Sequence, residues 1–300
     1  MTDTSQPADI TPDREKWLTP GVKGIGSASF LADVGHEIPT ALLPSLLTST
    51  LGAPAAALGA IEGISDALAG AARFGGGVLA DDPSRRRKVA VGGYATTAVL
   101  GAATAGATAV WQVGLLRTAA WTARGLRVPA RNALLADIVP AKAYGRAYGF
   151  ERMMDNLGAI FGPLLALALV AWLGVQWAIG LSVIPGLLAA AAIVYAIRKT
   201  PHPTGRDKVP LKIRVKPVLT GDLGKLIAAV AAFEVGNVAA TLLILRASEL
   251  LTPEHGTRTA TTIALGLYTA YIVAATIASV PAGRLSDRLG RGGPVLVLAG

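Results

Sequence analysis

Apolar residues run along this chain in blocks of about twenty, the length an α-helix needs to cross a hydrocarbon layer ~30 Å thick at ~1.5 Å per residue. The pattern predicts membrane spans near 24–47, 55–79, 89–109, 111–136, 148–171, 176–198, 223–248 and 260–282, and a ninth that opens at Pro294 and is cut at Gly300. Glycine and proline inside the blocks do not argue against helices, because neighbouring helices re-satisfy the freed backbone groups. Residues 1–22 are polar and of mixed charge, without the basic start and small-residue cleavage site of a secretory leader, so the first span is expected to stay in the mature chain.

The connections alternate in charge. Those after the first, third and fifth spans carry none. Those after the even-numbered spans are basic: Arg85, Arg86, Arg87 and Lys88, then Lys142 and Arg146, then Arg198, Lys199, Arg206, Lys208, Lys212, Arg214 and Lys216, then Arg284, Arg288 and Arg291. Lysine and arginine are retained on the cytoplasmic side, so the alternation predicts a multi-pass protein of the cytoplasmic membrane with its amino terminus inside. The expected organisation is a tail over 1–22, a six-helix bundle over 23–198, a proline-containing basic linker over 199–222, and a partial second bundle over 223–300.

Composition agrees with this reading. The chain is 52% hydrophobic and only 16% charged, with mean hydropathy +0.50, against about 25% charge in soluble domains. That excludes a disordered chain and disfavours two soluble domains. The net charge of +9 follows from the basic connections and is read as a topology signal, not a nucleic-acid surface. With no cysteine there is no disulfide, thiolate metal site or cysteine nucleophile. No G-x-x-x-x-G-K-[ST], H-E-x-x-H or G-x-S-x-G pattern occurs, so nothing points to ATP binding or to an enzyme.

One segment repeats. Gly77-Val-Leu-Ala-Asp81, followed by Arg85 and Arg86, aligns without gaps on Gly283-Arg-Leu-Ser-Asp287, followed by Arg288 and Arg291, and both copies close an even-numbered span. Glycine lets two helices approach closely, aspartate can accept from the amides at a neighbouring helix amino terminus, and the arginines can pair with acids across an interface. This duplicated G-x-L-x-D loop resembles the signature of the major facilitator superfamily, whose members are all-α membrane proteins. The resemblance implies two helical bundles with alternating access, of which eight complete helices and the start of a ninth are present. If the halves are equivalent, the sequence is expected to be a piece of a longer protein and, alone, to insert without transporting. Arg117 sits where proton-coupled members often keep an arginine, with Trp121 in place of the expected glycine. Gly158-Ala-Ile-Phe-Gly162-Pro163 resembles the G-x-x-x-G-P element of drug/proton antiporters, and ordinary close helix packing explains it equally well.

Ionisable residues within the spans are the candidates for function, because each costs at least ~2.5–3.5 kcal/mol to place in hydrocarbon and so faces a cavity or a partner. Asp33, His36 and Glu37 share a face of the first helix, and Glu62 and Asp66 share one on the second. Arg117, Arg124 and Arg131 recur every seven residues on the fourth, with Arg127 beside them. Arg124, Arg127 and Arg131 are expected to pair with Glu151 and Asp155 as a gating network. Arg117, nearer the outer side, could meet Asp33, Glu37 or Glu62 across the cavity, and the proton site is expected to be Asp33 or Asp66 with Arg117 as partner. Glu234 and Asn237 on the seventh helix would supply polar groups for substrate. The Asp33, His36, Glu37 trio has ligand types suited to a divalent metal, but no second histidine lies at helix spacing, and no metal is expected.

The leading expectation is a secondary active transporter exporting a small organic molecule, coupled to protons and using no cofactor. Its surroundings would be the lipid bilayer and a small-molecule substrate, with no nucleic acid and no obligate protein partner. Two alternatives stay open: a proton-coupled symporter for an organic anion, and a membrane-embedded enzyme or sensor built on Asp33, His36 and Glu37.

Overall fold

The computed structural model describes residues 17–200, Gly224, Ala228 and 240–289, and every regular element among them is helical. α1 (Pro20–Ser45) starts where the Thr19 hydroxyl accepts from the Val22 amide at 3.3 Å, with Pro20 at the first helical position. It runs on into a π-helical turn over Leu46–Thr50. α2 (Ala55–Ala80) follows Pro54, α3 (Pro83–Ala103) is capped by Asp82, and α4 (Val110–Ile138) precedes α5 (Tyr144–Leu173). α5 ends at Gly174, where φ is +81° and a glycine is the residue of least strain.

The span predicted over 176–198 is divided into α6 (Val175–Leu181) and α7 (Val183–Arg198). The break has a local cause. Pro185 cannot donate to the carbonyl of Leu181, and its ring clashes there, so the helix is interrupted at Ser182. α8 (Ala240–Leu289) contains the predicted eighth span and the end of the seventh, with non-helical backbone at Gly256, where φ is +74°. Apart from Gly224 and Ala228, the rest of the seventh span lies outside the described residues, as do the linker beyond Thr200 and the start of the ninth span.

Three segments, Pro83–Gly106, Ala141–Leu173 and Val175–Arg198, are long and apolar enough to cross a membrane by length and composition. α1, α2 and α4 match them in length at 26, 26 and 29 residues, but hold the ionisable residues. This division follows from packing. α1 lies between α5 and α7, α4 between α2 and α3, and α8 against α5. Small residues set these approaches: a β-carbon on Gly24 would fall 2.9 Å from that of Ala196, and one on Gly35 2.9 Å from the Gly186 amide.

Two apolar clusters bracket α1. One gathers Val22, Ile25, Tyr94, Leu135 and Ile193, and the other Leu43, Leu47, Val113 and Ile179. The α1 segment between them, from Asp33 to Thr40, is the polar one, and it fixes where the charges meet.

Candidate functional site

Ion pairs join α1, α2, α4 and α5 in the interior. Asp33, 5% exposed, takes Arg124 Nη2 at 3.1 Å. Arg117 reaches α2 instead, with Nη2 at 3.0 Å from Glu62 Oε1, while its Nη1 donates to the Thr40 hydroxyl at 3.1 Å. Thr40 in turn donates to the His36 carbonyl at 2.8 Å, which binds its side chain to the α1 backbone. Two turns beyond Arg124 on α4, Arg131 lies 2.7 Å from Glu151 Oε1 and 3.5 Å from Asp155 Oδ1. Ser29 completes that group by accepting from Arg131 at 2.9 Å and donating to Glu151 at 2.7 Å.

This differs from the expected pairing in three ways. Arg124 engages Asp33 and not the α5 acids, because Asp33 faces α4 just where Arg124 leaves it. Arg127 has no carboxylate within ion-pair distance among the described residues and lies 4.0 Å over the Tyr94 ring on α3. Asp66 is exposed on α2 and meets neither Arg117 nor any other described cation. Sequence spacing placed all these residues on the correct helices, but the rotation of α2 about its axis, which turns Glu62 inward and Asp66 outward, comes from tertiary packing.

Trp121 is the hub that sequence reasoning treated as a departure from a motif. Its ring lies 4.8 Å from the Arg117 guanidinium and 5.1 Å from that of Arg124, and it meets the His36 ring edge-on at 4.4 Å. Positions 117, 121 and 124 are spaced by four and three, so the shared face was legible as such. An aromatic ring between two cations attracts both and separates their charges.

Asp33, His36 and Glu37 go to three different neighbours: Arg124, Trp121 and α5. Glu37 forms no hydrogen bond or ion pair with the described residues. It packs on Gly162, where a β-carbon would collide with its own, and one turn away a β-carbon on Gly158 would fall 2.6 Å from the Phe30 carbonyl. Gly158 and Gly162, with Pro163 following in the same helix, therefore lie where α5 presses directly on the acidic segment of α1. Glu234 and Asn237 lie outside the described residues.

The two repeated loops do different things. In the second copy Asp287 reaches the first turn of α5: Oδ1 accepts from the Gly145 amide at 2.6 Å, and Oδ2 from the Arg146 amide at 3.1 Å and Arg146 Nε at 2.8 Å. A helix amino terminus with free amides is a natural seat for a carboxylate. Gly283 makes the approach possible, since a β-carbon there would run into the Gly145 carbonyl. Arg288 is exposed, and Arg291 lies outside the described residues.

In the first copy Asp81 is exposed, and a β-carbon on Gly77 would meet nothing within 4 Å among the described residues. The adjacent Asp82 caps α3, accepting from the Ser84 amide at 2.8 Å and hydroxyl at 2.7 Å, with Arg85 Nε 3.3 Å away. Arg86, 7% exposed, donates to the Ala80 carbonyl at 2.7 Å and pairs with Asp137 at the end of α4.

Helices of membrane-crossing length, joined through small residues around buried ion pairs, define a multi-helix membrane protein with a charged interior. Within that class the chain belongs to the Major Facilitator Superfamily, whose profile matches residues 25–300, and so to a family of membrane transporters and not of enzymes. It is 29% identical to an uncharacterised MFS-type transporter of Methanocaldococcus jannaschii, over 93% of this chain and 69% of that protein. An uncharacterised protein of Mycobacterium tuberculosis is 30% identical over 62% of this chain and 46% of its own length. A multi-drug resistance efflux pump PmrA homolog of Lactococcus lactis is 32% identical over 23% of this chain and 57% of its own. Among solved structures, an auto-inhibited POT family peptide transporter covers 90% of this chain and 56% of that one, at 21% identity and a TM-score of 0.47.

Proposed function

We propose that the protein is a secondary active transporter that exports a small organic molecule across the cell membrane in exchange for protons, by alternating access. The observation that carries this is the interior carboxylate–arginine network, in which Asp33–Arg124 and Glu62–Arg117 are held by one ring and Glu37 has no cation within ion-pair distance among the described residues. A carboxylate shielded from water favours its protonated form, and an arginine moving into contact restores the ionised one. A conformational change that makes or breaks such a pair therefore loads or releases a proton. Asp33 and Glu37 are the proton carriers in this reading, and Arg124, Arg117 and Glu62 are the switching partners. Glu234 and Asn237 contribute to substrate binding from the second half.

Rocking of the halves needs a contact that forms in one state only. In this reading the Asp287 seat on α5 serves as that contact. Export is favoured over uptake by the likeness to the efflux pump homolog from Lactococcus.

The test is proton release in detergent: a panel of organic cations and neutral amphiphiles is added to the purified protein in weakly buffered solution, and pH is followed. A transported compound is expected to release protons in wild type and none in the Asp33→Asn, Glu37→Gln double variant. Substrate-driven accumulation in vesicles without any dependence on a proton gradient would overturn the coupling.

A further inference from the structure

Away from the charged interior, an open groove of about 430 Å³ lies on the surface where α3 meets α7, lined by Val91, Ala190, Ala191, Val194, Tyr195 and Arg198. Both helices belong to segments long and apolar enough to cross a membrane, so in the bilayer the groove faces hydrocarbon. Its depth comes from the small side chains of Ala190 and Ala191, next to Leu187 and Leu188, which stand out exposed. On α7 the positions 184, 187, 191, 194 and 198 recur every three or four residues and share one face. From Arg198 back to Leu188 that face measures ~15 Å, half of a hydrocarbon layer ~30 Å thick.

The groove is basic at one end and apolar at the other. Arg198 lines its end, and Lys199 Nζ stands 5.9 Å from the ring of Tyr195 beside it. α3 and α7 run in opposite directions, since Gly186 packs on Ala98 while Val91 lies with the end of α7. The first turns of α3 therefore reach the Arg198 end, and Arg87 and Lys88, four and three residues before Val91, lie on the Val91 side of that helix. Neither helix contains an acidic residue. Arg85 and Arg86 are taken up by Asp82 and Asp137, but Arg87, Lys88, Arg198 and Lys199 form no ion pair among the described residues. Retention of positive charge in the cytoplasm explains basic residues at the end of a span. It does not explain why an open apolar groove starts from them.

We propose that this groove binds one anionic phospholipid of the cytoplasmic leaflet. Arg198, the Tyr195 hydroxyl and the Arg87–Lys88 pair hold its phosphate, and one acyl chain lies over Ala191 and Val194 toward Leu187. Charge complementarity selects this occupant over a zwitterionic lipid, because four basic residues meet no acid at the head-group end. The bound lipid bridges the start of α3 and the end of α7. Neither helix carries a residue of the coupling scheme, so the site stands apart from that reading.

The experiment is native mass spectrometry and thermal unfolding of the purified protein in detergent, titrated with phosphatidylglycerol, with phosphatidylcholine of the same acyl chains, or with glycerol phosphate. One retained phosphatidylglycerol per chain and saturable stabilisation are expected, with neither from the other two. Arg198→Gln should weaken phosphatidylglycerol affinity about fivefold, as loss of one basic residue near an anionic surface does. Ala191→Phe fills the groove without changing charge and should abolish the saturable effect. Arg284→Gln removes an exposed charge from α8, which packs on α5, and should leave it unchanged. Equal stabilisation by phosphatidylcholine or glycerol phosphate overturns the proposal, as does wild-type binding in Ala191→Phe. Equal losses in Arg198→Gln and Arg284→Gln would reduce it to diffuse attraction and overturn it too, and so would a dimer that retains no lipid. All of these readings are made without transport substrate, so their failure leaves the proton-release test untouched.

Discussion

Asp287 sits on the amide of Gly145, 142 positions earlier in the chain, with Oδ1 2.6 Å from the nitrogen. The contact binds the end of α8 to the start of α5, and Arg146 closes over the same carboxylate at 2.8 Å. Its partner in the repeat, Asp81, has no such seat among the described residues. A duplicated motif has thus become asymmetric in use, one copy engaged and one free, which is the arrangement expected of two latches that serve opposite states.

Asp287→Asn keeps the shape of the side chain but removes the charge and replaces one acceptor with a donor facing the Arg146 amide. Hydrogen bonds to charged groups contribute ~1.5–3 kcal/mol, so the equilibrium should shift roughly ten- to hundredfold away from the α5–α8 contact. Spin-label pairs across α5 and α8 report that shift as a longer distance. Asp81→Asn should leave the same distances unchanged. Equal effects from both substitutions would mean that the two loops are equivalent in this state.

The glycines of the two copies should part company in the same way. Gly283→Ala puts a methyl against the Gly145 carbonyl, and overpacking of this kind costs ~1–3 kcal/mol. Gly77→Ala enters open space and gains helix propensity, so it should be neutral or stabilise by up to ~1 kcal/mol. Thermal unfolding in one detergent compares them. A destabilised Gly77→Ala would show that the open space is filled in the resting ensemble.

The sequence made the helices, the charged faces and the repeated loop legible, because these are local: they follow from block length, from spacing of three and four, and from a motif. It made partners legible only in part: Arg131 meets Glu151 and Asp155 as expected, while Arg124 and Arg127 do not. Arg124 and Arg131 are seven residues apart and look alike, yet one goes to Asp33 on α1 and the other to Glu151 and Asp155 on α5. That choice depends on how far α1 is pressed toward α5, which Gly158 and Gly162 decide from another helix. The interruption at Ser182 was available from Pro185 and was overridden by the apolar run around it. The role of Trp121 was hidden by the motif comparison, which recorded a missing glycine where the chain has a cation-binding ring.

The Asp82 cap gives the α2–α3 loop a pH dependence. The Ser84 hydroxyl, then its amide, and then Arg85 hold the Asp82 carboxyl below its ordinary value of 3.8. A folded-state value below the unfolded one means the stabilisation is present above the unfolded value and is lost as pH falls through the folded one. The loop is therefore indifferent to pH near neutrality and loosens only in acid, below 3.8. Ser84→Ala removes the largest cause and should move the carboxyl back toward its ordinary value, as followed by carbon NMR of labelled aspartate. An unmoved titration would place the cause in the amide alone.

Asp33, Glu37 and Asp66 separate coupling from structure. Asp33→Asn strips Arg124 of its partner in a largely buried pair, and breaking such a pair costs about 3 kcal/mol, so lost transport in that variant would come with lost stability. Glu37→Gln breaks no ion pair and leaves the contact with Gly162 in place, so stability should change by less than ~1 kcal/mol. If Glu37 carries protons, proton-driven accumulation falls to the passive level while substrate binding and the melting temperature are retained. Asp66→Asn alters an exposed side chain with no described partner, and is expected to leave both stability and coupling as they are in wild type. The three variants are compared by melting temperature and by flux in vesicles with an imposed proton gradient. Full coupling in Glu37→Gln together with its loss in Asp66→Asn would move the proton site from the α1–α5 contact to the open face of α2.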